Sequence, residues 1–182
     1  MKEKVLLIMD LQKDFCCPEG SLYVKGAESL AEKIAALIPG YDKVIFTLDF
    51  HPYRHCSFKE QGGPWPVHCV EYTEGASLPD CVLSACDKSR QEVYYVRKGQ
   101  DPDMEEYGAF SSSMDLLECL GDHADEVKID VCGVAGDYCV KETTANVLNL
   151  VDPSRIHMLT DCIASIDGGA VLQAFTEENE LG

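Results

Sequence analysis

Short, nearly unbroken apolar runs alternate along this chain with stretches of helical spacing. Residues 4–9 (KVLLIM) read as a strand buried on both faces, and residues 43–48 (KVIFTL) as a second. Residues 93–97 (VYYVR), 129–134 and 155–159 (RIHML) complete a set of five. In residues 26–38 the apolar positions Leu30, Ile34, Leu37 and Ile38 follow a helical period that stops at Pro39-Gly40. Residues 114–120, 138–150 and 168–177 carry the other helical patterns, the first of them capped by Ser111 or Ser112.

Strand and helix patterns alternate throughout, with no repeat, linker or compositional break between them. The expected fold is therefore α/β, a three-layer Rossmann-like arrangement in one domain over residues 1–182. Its central sheet is mostly parallel and is flanked by helices on both faces. In such sheets ligands bind outside the carboxyl ends of the strands. Asp10, Asp49 and Lys98 each fall just past a predicted strand. Cys139 lies in the first turn of the helix expected after residues 129–134, where free N–H groups and the helix dipole favour a thiolate. These four residues at one edge suit nucleophilic chemistry, with Asp10 as proton acceptor and Lys98 lowering the thiol pKa. Two plainer readings stand beside it: a packed thiol, and an Asp10–Lys98 ion pair that only closes the strand ends.

A long polar loop, from Phe50 to about Pro79, carries His51, His55, Glu60, Gly62-Gly63, Trp65 and His68. Loops of that length inside a domain are usually functional. Asp49, His51 and His68 form a mixed carboxylate and imidazole set of the kind that binds zinc, iron or manganese, although histidines on a surface loop would look the same.

Composition narrows the partners. A net charge of −17 argues against nucleic acid or an anionic membrane, either of which needs a basic face. The ten cysteines show no C-x-x-C spacing, and several sit inside apolar runs, so a disulfide framework is not expected. With no signal-peptide pattern and no apolar run of spanning length, a reducing cytoplasm is the simplest location.

Three stretches carry a family resemblance: Asp10-Leu11-Gln12-x-Asp14-Phe15, Lys98-Gly99, and Gly133-Val134-Ala135-x-Asp137-Tyr138-Cys139-Val140. Their order and spacing resemble the isochorismatase-like cysteine hydrolases over nearly the whole chain. The run from Phe50-His51-Pro52 through Ser57 to Val70 is similar to the metal loop that marks the nicotinamidases within them. The resemblance implies a catalytic triad of Asp10, Lys98 and Cys139, and a cis peptide at Val134–Ala135. It also implies an oxyanion hole from the N–H groups of Ala135 and Cys139. Asp49, His51 and His68 become ligands of a divalent metal, most simply zinc, with Glu60 as a fourth. Nicotinamide would be the substrate, its ring held between Phe15 and Trp65, with Tyr107 on the same wall. His55 has no matching role and is expected to be exposed; His123 and His157 are assigned to structure. The resemblance also allows a homo-oligomer. Two alternatives remain: a related hydrolase of another amide, ureide or carbamoyl compound, and a non-catalytic binding protein of the same fold.

Overall fold

In the computed structural model, which describes residues 3–88, 91–121, 124 and 126–182, five strands form one parallel sheet. They are β1 (Lys4–Met9), β2 (Lys43–Asp49), β3 (Glu92–Lys98), β4 (Lys128–Val134) and β5 (Ile156–Ala164), in the order β3-β2-β1-β4-β5. Six α-helices flank it: α1 (Lys13–Cys16), α2 (Leu30–Leu37), α3 (Asp80–Lys88), α4 (Ser113–Leu120), α5 (Lys141–Leu148) and α6 (Ala170–Glu178).

Alternation of side chains along the strands sorts the core into two layers. Leu6, Ile8, Val44, Phe46 and Cys132 pack toward Leu30 and Ile34 of α2 and Val82 of α3. Val5, Leu7, Ile45 and Val131 pack on the other face with Leu116 and Leu120 of α4, Val147 of α5 and Leu172 of α6. Because both faces are covered, every residue of β2 is buried, which is why the strand reads as an unbroken apolar run. None of the described helices is long and apolar enough to cross a membrane.

The chain starts at the middle of the sheet, moves outward through β2 and β3, then crosses back to lay β4 beside β1. The strand order therefore reverses between β1 and β4, and a crevice opens there at the carboxyl ends. Asp10 leaves β1 at that point and the turn carrying Cys139 leaves β4.

Some boundaries differ from those the sequence predicts. β5 runs on to Ala164, so Asp161 and Cys162 lie in the strand rather than after it. As an edge strand it is half exposed, and its register against β4 shifts between Val131 and Gly133, which blurs the apolar pattern. Helix α3 was not predicted, having only Val82 buried. The helix expected from residue 138 begins instead as a π-helical turn, Gly136–Val140, before α5. Residues 27–40 form a 3-10 turn, α2 and a second 3-10 turn. Of the two cap candidates Ser112 is the cap: its hydroxyl accepts from Asp115 N, and the Asp115 carboxylate accepts from Ser112 N. His157 is exposed on β5, 3.3 Å from Asp130 Oδ1, while His123 lies outside the described residues.

Gly133 sets how closely β1 and β4 approach. It pairs with Met9, has φ of +117°, and a Cβ there would lie 2.0 Å from the Met9 carbonyl oxygen. Gly133→Ala should therefore destabilise the protein by at least about 3 kcal/mol, as backbone strain and a backbone clash combine. Denaturant unfolding measures this, and an unchanged midpoint would contradict the packing.

Candidate active site

Lys98 ends β3 with its side chain buried, and its ammonium meets three side chains as well as the Glu106 carbonyl. Asp10 Oδ2 lies 2.9 Å away, Asp49 Oδ1 accepts a short hydrogen bond from it, and Cys139 Sγ is at 3.5 Å. Asp10 is fully buried, with φ of +43°, and its Oδ1 accepts from the Thr47 hydroxyl at 2.6 Å. Burial disfavours the Lys98 charge, but Asp10 and Asp49 outweigh it and hold the ammonium well above its ordinary range. Burial likewise opposes the Asp49 charge, yet Lys98, His51 and His68 keep that carboxyl well below the usual carboxylate range. Asp10 moves the other way: burial raises its carboxyl, Lys98 offsets only part of this, and Asp49 adds to the rise. The Cys139 thiol is also pushed well up, by burial and then by Asp10. Lys98 does favour the thiolate, as the sequence suggests, but does not outweigh burial.

The Val134–Ala135 peptide is cis, and the π-helical turn that follows closes with Val140 N donating to Ala135 O at 3.0 Å. Asp137, in that turn, accepts from the backbone N–H groups of Ile166 (2.9 Å) and Asp167 (3.1 Å).

On the other side of Asp49, two imidazoles turn their Nε2 atoms toward its second oxygen. His51 Nε2 is 3.5 Å and His68 Nε2 3.7 Å from Asp49 Oδ2. His51 Nδ1 faces Gly99 O at 2.9 Å, and His68 Nδ1 faces Pro66 O at 2.8 Å. A carbonyl oxygen only accepts, so each Nδ1 carries a hydrogen; each Nε2 can then donate to Asp49 when the ring is protonated, or offer a lone pair to a cation when it is neutral. One carboxylate oxygen and two such nitrogens, all within 4.8 Å of one another, fit a divalent cation of borderline softness.

Glu60 is not brought to this cluster. It sits exposed on a 3-10 turn, Lys59–Gln61, folded back by Lys59 N donating to Trp65 O and Gly63 N to Phe58 O. The turn packs so tightly that a Cβ on Gly63 would lie 2.2 Å from the Ser57 carbonyl carbon. His55, expected at the surface, is fully buried instead. Its Nδ1 meets the Ser57 hydroxyl at 2.7 Å and its Nε2 the Met104 carbonyl at 3.0 Å, so the metal-type loop is stitched to the loop after β3.

A narrow cavity connects the two constellations. Asp49, His68, Ala135 and Cys139 line it together with Phe15, Trp65 and Tyr107. The space open to water-sized spheres is about 30 Å³. Phe15 stands 5.5 Å from the His68 ring, centroid to centroid. Trp65 Nε1 donates to the Tyr107 hydroxyl at 3.1 Å, and Tyr138 meets both rings at 5.1 and 5.2 Å. Tyr138, which the sequence reading passed over, therefore belongs to the aromatic wall.

Two further residues escaped the sequence reading because they act through the backbone of distant partners. The Gln12 carboxamide is fully buried and grips Asp49 at both ends: Nε2 donates to Asp49 O (2.7 Å) and Oε1 accepts from Asp49 N (2.9 Å). Its Nε2 also donates to Ala76 O at 2.9 Å. Asp14 Oδ2 accepts from Cys69 N at 2.7 Å, beside His68. Both residues lie in the Asp10–Phe15 stretch, and a polar pair spaced two apart just after a buried strand was the available signal.

Comparison with known proteins agrees with this architecture. The family model described as the isochorismatase domain matches residues 4–179. The Saccharomyces cerevisiae nicotinamidase is 33% identical over 181 residues, covering 81% of this chain and 82% of that protein. The crystal structure of PnC1 from L. infantum in complex with nicotinate superposes with a TM-score of 0.82 at 35% identity, covering 98% and 89% of the two chains. The crystal structure of the pyrazinamidase of Pyrococcus horikoshii in complex with zinc gives 0.80 at 29% identity, covering 97% and 96%.

Gln12→Leu keeps the volume but strips Asp49 and Ala76 of their buried partners. A loss of about 2–4 kcal/mol is expected, the cost of leaving buried peptide groups unsatisfied. Urea unfolding reads it directly; a variant as stable as wild type would show that Gln12 does not hold Asp49.

Proposed function

The chain belongs to the isochorismatase-domain family, and from that premise we propose that it hydrolyses nicotinamide to nicotinate and ammonia through a thioester on Cys139. The observation that carries the reading is that the Asp10–Lys98–Cys139 cluster and the Asp49–His51–His68 cluster meet at Asp49, and that Cys139, Asp49 and His68 line one aromatic-walled cavity.

In this mechanism Asp10 takes the proton of Cys139 Sγ as the thiolate attacks the amide carbon. A raised carboxyl pKa makes Asp10 a stronger acceptor for that proton than an ordinary carboxylate. Lys98 stays charged throughout, holds Asp10 in line and stabilises the anion that forms beside it. The N–H groups of Ala135 and Cys139 receive the oxyanion; a donor of that kind is worth about 3 kcal/mol at a transition state. Asp10 returns the proton to the departing ammonia, then takes one from the water that cleaves the thioester. Phe15 and Trp65 confine the flat ring, with Tyr107 on the Trp65 side, and supply apolar contact with little chemical discrimination.

Discrimination falls to the other constellation. Asp49, His51 and His68 would hold a divalent ion, zinc by the chemistry of the donors, which when bound supplies a Lewis acid for the lone pair of the ring nitrogen. Glu60 is exposed and outside the Asp49, His51 and His68 group, so the three-residue set is the proposed one.

Ammonia release from nicotinamide tests the whole reading. Wild type should be active, and Cys139→Ala should fall by at least about 10⁴-fold, as expected for removal of a covalent nucleophile. Stripping the metal by chelation should abolish activity, and back-titration with zinc should restore it. Undiminished release by Cys139→Ala would sink the thioester mechanism.

A further inference from the structure

The loop that follows β3 is acidic, with Asp101, Asp103, Glu105 and Glu106, and of these only Glu105 lines the cavity shared by Asp49 and Cys139. Its backbone is fixed on both sides. The Met104 carbonyl meets His55 Nε2 at 3.0 Å, and the Glu106 carbonyl accepts from Lys98 Nζ at 3.4 Å. The Glu106 carboxylate in turn accepts from Gly99 N at 2.9 Å, and the next side chain, Tyr107, is tied to Trp65. Glu105 itself has no hydrogen-bond or ion-pair partner among the described residues. Burial, then the Asp49 charge, raises its carboxyl against the opposing pull of His51, Lys98 and His68, in keeping with its place on the cavity wall beside Asp49.

A carboxylate held in this way acts differently on the two ends of the reaction. The substrate carboxamide is neutral, whereas the product carries a negative charge on the same ring. We propose that Glu105 sets the preference for substrate over product, repelling the pyridine carboxylate once it has formed and leaving the neutral carboxamide unpenalised. The inference rests on the hydrolase reading above. Glu105 is a specificity residue in this role; it touches none of the reacting bonds.

The test compares metal-loaded wild type with Glu105→Gln and Glu105→Asp at pH 8. Nicotinate affinity is measured by calorimetry and the KM for nicotinamide by ammonia release. Removing one negative charge at the cavity wall should tighten nicotinate binding about fivefold or more in Glu105→Gln. The KM should move by less than about twofold, because a neutral ligand feels the charge only weakly. Glu105→Asp, which keeps the charge, should behave as wild type. Unchanged nicotinate affinity in Glu105→Gln overturns the proposal, as does a shift of KM and nicotinate affinity by the same factor. Loss of bound metal from Glu105→Gln would also overturn it, in favour of a ligand role. Ammonia release by wild type separates the two levels. Its absence sinks the hydrolase reading, whereas an active wild type with an unresponsive Glu105→Gln sinks this proposal alone.

Discussion

The ammonium of Lys98 is the group on which the rest of the site depends. It is a buried cation, and an isolated one would lose several kcal/mol of hydration with nothing in return. Two carboxylates from two other strand ends compensate it, Asp10 after β1 and Asp49 at the end of β2. Such a cluster adds little net stability, because each charge must be desolvated to join it. What it fixes is geometry. The backbone ladder sets the spacing of the three strand ends, and the charges lock the side chains that leave them, with Cys139 Sγ 3.5 Å from Lys98 Nζ. The raised carboxyl of Asp10 follows from burial first; Lys98, shared with Asp49, offsets only part of it, and the Asp49 charge adds to the rise.

Asp49 is the hinge between the two halves of the site. One oxygen faces Lys98 and the other faces His51 and His68, so a single side chain serves both the thiol side and the cation-binding side. Its position cannot be left to its own rotamer. Gln12 clamps its peptide groups, while Asp14 holds the backbone beside His68. These supports explain how a loop of about thirty residues presents its ligating atoms with the order of a strand end.

Much of this was legible in the sequence for one physical reason. A parallel sheet covered on both faces demands continuous apolar strands, and reactive groups placed just after such strands must gather at one edge. Asp10, Asp49 and Lys98 could be found that way. Cys139 could be placed near the edge, though not in a π-helical turn, since nothing in Gly136–Val140 distinguishes that turn from the first turn of an α-helix. The losses have equally definite causes. β5 and α3 sit at the margins, where half-exposed positions dilute the periodicity. His55 looked solvent-exposed because the partner that buries it, Met104, lies 49 residues away in another loop. Glu60 shows the opposite failure: its motif was familiar, but the tight turn around Gly63 leaves the side chain outside. Tyr138 sits directly before the nucleophile and still gave no signal, because an aromatic residue there serves a core as readily as a cavity.

The Asp137 carboxylate, with its two hydrogen bonds to the backbone at Ile166 and Asp167, also governs how the cavity is entered. Hydrogen bonds to a buried charged acceptor are worth about 1.5–3 kcal/mol each, so the turn carrying Cys139 and the segment carrying Ile166 move as one rigid body. That wall cannot swing away without dragging the thiol out of alignment with Asp10. The opposite wall is built differently: the Trp65 and Tyr107 side chains meet through one neutral hydrogen bond, on loops that His55 and Cys56 tie together by bonds to the Met104 and Pro102 carbonyls. A planar ring arriving at so narrow a cavity therefore meets one fixed jaw and one compliant jaw.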